Sequence, residues 1–118
     1  MLLNICTATG FASDGNLYKV NFEYGKASTI DYDLDGDGVI DHGSIYEEEI
    51  RKNAHKITIN INNVQHEIRL EPGGIRSIFL VDLNTRDKTK EILFIYGYHS
   101  YSWFGVVRYE DNKISELN

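Results

Sequence analysis

Between Asp31 and Ser44 the chain reads DYDLDGDGVIDHGS, with five aspartates and three glycines in fourteen residues. Like charges this close repel one another, and a bound cation removes the repulsion. With Asp33 as position 1, the run fills D-x-D-x-D-G-x-x-D: Asp35 at 3, Asp37 at 5, Gly38 at 6, the Val39 carbonyl at 7 and Asp41 at 9. Alternate carboxylates converge on one point as the chain curls, and the glycine permits the sharp turn that aims the next carbonyl inward. The donor set is all oxygen. It suits Ca2+, a hard ion taking about six to eight oxygens in flexible geometry, better than Mg2+, which demands a stricter octahedron. The expected metal ligands are therefore Asp33, Asp35, Asp37, Val39 and Asp41. A solvated acidic turn is the competing reading, because Asp and Gly favour turns for backbone reasons alone. An EF-hand is disfavoured: its position 12 needs a bidentate Glu between flanking helices, and Ser44 stands there between strand-like segments. Glu47, Glu48 and Glu49 are either remote ligands or a solvated run.

A weaker copy of this loop follows at DLNTRDKTKE, residues 82–91. Asp82, Asn84 and Glu91 keep ligand-like positions, but Arg86 replaces the third ligand, the glycine is gone, and Lys88 and Lys90 flank Asp87. Fixed cations neutralise carboxylates as a metal would. The second loop is expected to be a metal-free, salt-bridged pseudo-site.

Other chemistry is sparse. In YGYHSYSWFG, residues 96–105, the aromatics Tyr96, Tyr98, Tyr101, Trp103 and Phe104 could stack on sugar rings, or pair across a hairpin. His42, His55, His66 and His99 lack metal-ligand spacing and read as structural. Carboxylate pairs such as Asp31 with Glu67 could serve a glycosidase, though any acidic chain offers such pairs. No phosphate-binding glycine loop, serine nucleophile elbow or Cys–His pair is visible.

The elements that must position the loops are strands. LYKVNFEY (17–24), STIDYDL (28–34), HKITININ (55–62), VQHEIRL (64–70), SIFLVDL (77–83), EILFIYGY (91–98) and WFGVVRYE (103–110) are rich in β-branched and aromatic residues, and several alternate with period two. Asn62-Asn63 reads as a tight hairpin turn. EEEIRKNA (47–54) leans towards helix but has too few apolar anchors to hold one.

Shifting the chain by 49 lays Gly25 on Gly74, Ser28 on Ser77, Ile30 on Phe79, Asp33 on Asp82 and Leu34 on Leu83. At a shift of 50, Asp41 meets Glu91, Ile45 meets Ile95, Ile57 meets Val107 and Val64 meets Ile114. Each unit reads as four antiparallel strands with an acidic loop after the first, the size and order of a propeller blade. The fold class is all-β, one domain over 1–118, with repeat units at about 25–73 and 74–118 and a lone leading strand near 17–24. Two blades cannot close a ring, so the expected architecture is an incomplete ring or a small sandwich. Uncovered edges and the aromatic hairpin point to a homo-oligomer, a two-fold dimer being the commonest form, in which the leading strand or that hairpin meets another chain.

Composition narrows the function classes. With 118 residues, 42% hydrophobic and 25% charged, the chain suits one modest globular domain. A net charge of −6 with scattered basic residues argues against nucleic acid. Cys6, the single cysteine, excludes an internal disulfide and reads as a buried apolar residue. No apolar run reaches the ~18 residues of a membrane span. The opening MLLNICTATGFAS reads as an ordinary first strand or a shortened signal relic.

The first loop between strands, together with SIFLVDLNTRDKTKEILF, resembles the FG-GAP/VCBS-type calcium-loop β-propeller repeats of bacterial surface and secreted proteins, over about residues 25–110. The resemblance implies calcium at Asp33, Asp35, Asp37 and Asp41, extracellular or cell-surface placement, and an adhesive or ligand-binding role without catalysis, towards a protein or carbohydrate. The alternative is a carbohydrate-active enzyme fragment using carboxylates beside the aromatic run.

Overall fold

In the computed structural model, which describes residues 17–84 and 86–117, those residues form nine strands and no helix. They are β1 (Leu17–Val20), β2 (Ser28–Tyr32), β3 (Asp41–Arg51), β4 (Ala54–Ile61), β5 (Val64–Leu70), β6 (Gly74–Val81), β7 (Glu91–Tyr98), β8 (Tyr101–Glu110) and β9 (Lys113–Leu117). All neighbours pair antiparallel, in one sheet ordered β2-β3-β4-β5 and another ordered β1-β6-β7-β8-β9. The two sheets pack through a shared core, a sandwich-like arrangement and not a closed barrel. The expectations for Cys6 and for the opening segment fall outside the described residues.

The repeat survives in the strand register. In β2–β3, Ser28 faces Ile45, Ile30 faces Gly43 and Tyr32 faces Asp41. In β6–β7, Ser77 faces Ile95, Phe79 faces Leu93 and Val81 faces Glu91, which is the same pairing moved by one repeat. Beyond that the copies slip. β3 runs to Arg51 and turns through a bulge, whereas β7 stops at Tyr98, so Ile45 faces Ile59 but Ile95 faces Phe104. The closing turns, Asn62-Asn63 and Asp111-Asn112, both have two positive φ angles (50°, 69° and 55°, 60°), the geometry of a two-residue hairpin loop whose twist matches its strands. Aligned on those turns, Val64 corresponds to Lys113, and the matches of Ile57 with Val107 and Val64 with Ile114 are not structural ones.

Two further differences have local causes. The lone leading strand does not wait for another chain: β1 adds to the β6 edge, pairing Leu17 with Val81 through Val20 with Ile78, and ends short of Tyr24. Glu47 to Arg51 is strand, not helix, because β4 pairs with it from Glu47–Ile57 to Arg51–Ala54, continuing a strand whose first half is fixed between β2 and β4, with Ile45 and Glu47 turned inward. Tertiary pairing overrides weak local preference there. The core joins Ile30, Ile45, Ile57, Ile59, Ile61 and Leu70 of the four-stranded sheet to Val20, Ile78, Leu80, Ile92, Phe94 and Val107 of the other. It fixes the β2–β3 and β6–β7 ends from which the two acidic loops spring.

Candidate metal site

The first loop, residues 33–40, links β2 to β3, and its three leading aspartates fold onto one another. Asp33, Asp35 and Asp37 each offer a carboxylate oxygen, and these atoms lie within 4.8 Å of one another. Backbone amides draw the loop around Asp33: Gly36 N and Asp37 N donate to its Oδ1 at 2.9 and 3.1 Å, and Gly38 N to its Oδ2 at 2.9 Å. Val39 N donates to Asp37 Oδ1 at 2.9 Å. Gly36 and Gly38 sit at φ of 76° and 90°, which lets the chain curl this tightly. Desolvation, and then repulsion from Asp41, pushes the Asp35 carboxyl up to about 6. Hard oxygen donors gathered in a curled loop fit a cation of the Ca2+ type.

Asp41 is placed differently. It is buried at the start of β3 and outside the cluster of three. Its Oδ2 accepts from Leu34 N at 2.8 Å and Asp35 N at 3.4 Å, and its Oδ1 from Asn62 Nδ2 at 2.8 Å. It therefore clamps the loop onto the sheet. Val39 is exposed. The three glutamates stay remote: Glu47 is buried beside His55 at 2.8 Å and accepts from Ile75 N, and Glu48 pairs with Lys56 at 3.3 Å. Burial raises the Glu47 carboxyl above its ordinary value. At ~3.3 Å per strand residue, Glu47 lies about 20 Å along β3 from Asp41.

The second loop, between β6 and β7, keeps the clamp and fills the rest with cations. Leu83 N donates to Glu91 Oε1 at 3.0 Å, the counterpart of the Leu34–Asp41 bond. Arg108 Nε donates to Glu91 Oε2 at 3.0 Å and its other end lies 3.8 Å from Asp87, while Lys90 Nζ stands 3.4 Å from Asp82. The closing cations are Arg108 and Lys90, not Arg86. Sequence reasoning missed Arg108 because it lies a hairpin away from the loop. The two loops touch: Lys90 N donates to Leu34 O at 2.8 Å, and the Lys88 backbone packs on Gly36.

A double role for the carboxylates follows. Asp41→Ala is expected to cost about 2–3 kcal/mol in chelator, because it strips two loop amides and Asn62 of a charged acceptor. Asp37→Ala, on an exposed side chain, is expected to change stability in chelator by less than ~0.5 kcal/mol. Urea denaturation of both variants in chelator measures the difference.

The remaining candidates are occupied locally. His42 pairs with Asp31 at 3.1 Å and His66 with Glu116 at 2.9 Å, while His99 sits in the β7–β8 turn with its ring against Tyr98. Asp31 and Glu67 are not brought together: they lie on β2 and β5, at opposite edges of a four-stranded sheet, and Glu67 is 3.7 Å from Lys56. In the aromatic run, Tyr96 stacks on Trp103 across the β7–β8 pair, at 6.1 Å between ring centroids, and Tyr101 stacks on it along β8 at 6.2 Å, whereas Phe104 points to the opposite face. A cleft of about 380 Å³ beside them is lined by Phe94, Tyr96 and Phe104 with the single carboxylate of Glu116, and Trp103 is not in its wall. No described helix is long and apolar enough to cross a membrane. Comparisons with protein-family models, curated proteins and solved structures find no match.

Proposed function

We propose that the chain is a calcium-binding, non-enzymatic binding or adhesion module of the bacterial surface or secreted type, akin to FG-GAP/VCBS repeats. One observation carries the reading. Among the described residues, Asp33, Asp35 and Asp37 have no basic side chain in ion-pair contact, whereas every carboxylate of the counterpart loop has Lys90 or Arg108. The same clamp thus supports one loop closed by the chain's own cations and one left for an external cation. Asp33, Asp35 and Asp37 would supply carboxylate oxygens, and the loop's spacing adds the Val39 carbonyl and Asp41. The ion's contribution is charge neutralisation that orders the loop end of the sandwich for contact with a protein or carbohydrate.

The affinity expected is that of extracellular modules, on the order of 10⁻⁴ to 10⁻³ M. At roughly 10 mM Ca2+ such a site adds about 1.4–2.7 kcal/mol of stability by mass action. Thermal melts in calcium should therefore lie roughly 5–15 °C above those in chelator, and an equal concentration of Mg2+ should give a smaller rise. Identical melting temperatures in calcium and chelator would end this reading.

A further inference from the structure

Three carboxylates are buried among the described residues. Asp41 and Glu91 clamp the two acidic loops, and Glu47 belongs to neither. β3 turns Ile45 and Glu47 to the core, whereas β7 turns the opposite face of the repeat, Ile92 and Phe94, so the register counterpart of Glu47 is Gly97 and the second unit has no copy of it.

Glu47 ties the two sheets together. Its Oε2 accepts from Ile75 N of β6 at 2.9 Å, across the sandwich, and lies 2.8 Å from Nδ1 of His55 on β4. The His55 contact is an ion pair by distance, its Nδ1 having no aligned hydrogen-bond partner. Gly74 makes the room: a Cβ there would meet Glu47 Oε2 and the His55 ring. Beside it, Gly73 N donates to Asn53 O at 2.9 Å. Among the described residues His55 is the single cationic partner of Glu47. The other charged groups of this end are committed elsewhere or stand at its rim. Arg51 pairs with Glu71 at 2.9 Å, Lys56 lies between Glu48 and Glu67, and Arg76 of β6 donates to Ser102 Oγ and His99 O. The half-exposed Glu49 stands 3.9 Å from His55 Nε2, and the Tyr24 ring meets His55 edge-on at 6.2 Å between centroids.

A buried carboxylate beside a neutral imidazole is an uncompensated charge, which is costly. The pair therefore keeps one proton, which leaves it net neutral, and its titration belongs to the two groups together. Burial raises the Glu47 carboxyl, against the lowering pull of Ile75 N and His55. In the unfolded chain glutamate releases its proton near pH ~4.3 and histidine near pH ~6.5. Above that range the unfolded chain has given up both protons while the folded pair still holds one. Stability then falls as pH rises, the unfolding constant growing by up to about tenfold per pH unit until the pair's proton is gone. We propose that Glu47 and His55 form a proton-operated latch between the two sheets, closed in mildly acidic medium and released as the medium turns alkaline. Release frees the Ile75 amide and with it the Gly73–Asn53 contact, loosening the end of the sandwich opposite the acidic loops. The latch works without calcium, since Glu47 lies about 20 Å from Asp41 along β3.

Native-state amide exchange of the full chain in chelator, corrected for the pH dependence of the chemical step itself, tests this at Ile75 and Gly73. Between roughly pH 6 and pH 8.5 protection at both amides should fall at least about tenfold, while Lys90 N, bonded to Leu34 O at the loop end, keeps its protection. Glu47→Gln keeps an oxygen for Ile75 N and carries no charge, so its protection should change less than about threefold over the same range. His55→Gln should move the fall to lower pH, because the carboxyl then holds the proton alone. Wild-type protection at Ile75 that stays flat across this range would overturn the proposal, as would a fall of the same size and midpoint in Glu47→Gln. Should Glu47→Gln not fold, His55→Gln still decides: an unchanged midpoint there would overturn it equally.

Discussion

Arg108→Met is expected to destabilise the chain by about 3 kcal/mol, more than any loop substitution that removes only a metal ligand. Glu91 is fully buried, and among the described residues Arg108 is its one cationic partner, at 3.0 Å. Removing the guanidinium leaves a buried carboxylate held, among the described residues, only by Leu83 N and the Thr89 hydroxyl, and an uncompensated buried charge costs roughly 3–5 kcal/mol. The lower end applies because water reaches the partly exposed Arg108. Glu91→Gln in the Arg108→Met background should recover about half of the loss, since the amide keeps an oxygen for Leu83 N and brings no charge. Urea denaturation of the two single variants and the double closes a cycle whose coupling should be at least ~1 kcal/mol. A loss under ~1 kcal/mol for Arg108→Met would mean that the second loop is not held by its own cations.

Gly36→Ala should be nearly as damaging, at about 2–4 kcal/mol, and should also weaken the calcium response. Two effects add at this position. Its φ of 76° is one that L residues adopt at a cost of about 1–2 kcal/mol. A Cβ there would also meet the Cβ and carbonyl oxygen of Lys88, forcing the two loops apart, and overpacking costs another ~1–3 kcal/mol. Gly38 gives the internal comparison, because it shares the left-handed conformation (φ 90°) while a Cβ on it would meet nothing. Gly38→Ala should therefore cost only the conformational part. Equal losses at the two positions, by thermal or urea melts in chelator, would show that the Lys88 contact is immaterial.

What could be read from the sequence was what is local in it. The aspartates of D-x-D-x-D converge because their spacing alone puts alternate side chains on one side of a curl, and Asp33, Asp35 and Asp37 do so. Asp41 belongs to the same motif by spacing, yet its work depends on Asn62, twenty-one residues away, and on the Leu34 amide, groups that no motif specifies. Arg108 reaches Glu91 across seventeen residues for the same reason. Among the strands, alternation marked β4, β5, β7 and β8 well. It missed the strand character of Glu47 to Arg51, where a buried Glu47 is followed by charges that suit the exposed end of a long strand but carry little strand preference, and it passed over the short, polar β9. The repeat was legible by self-comparison over the first two strands of each unit and slipped where β3 outruns β7. The choice of opposite faces was hidden, because alternation shows that a strand has two faces without saying which one a neighbour covers.

One loop is proposed to take a cation while its copy supplies its own. Calorimetric titration of Ca2+ into the chain, into Asp33→Ala and into Asp82→Ala puts it to the test, the two substitutions being counterparts in the repeat. One ion per chain is expected for the wild type and for Asp82→Ala, and no measurable binding for Asp33→Ala. Binding that survives Asp33→Ala, or no binding to the wild type at millimolar calcium, would contradict it.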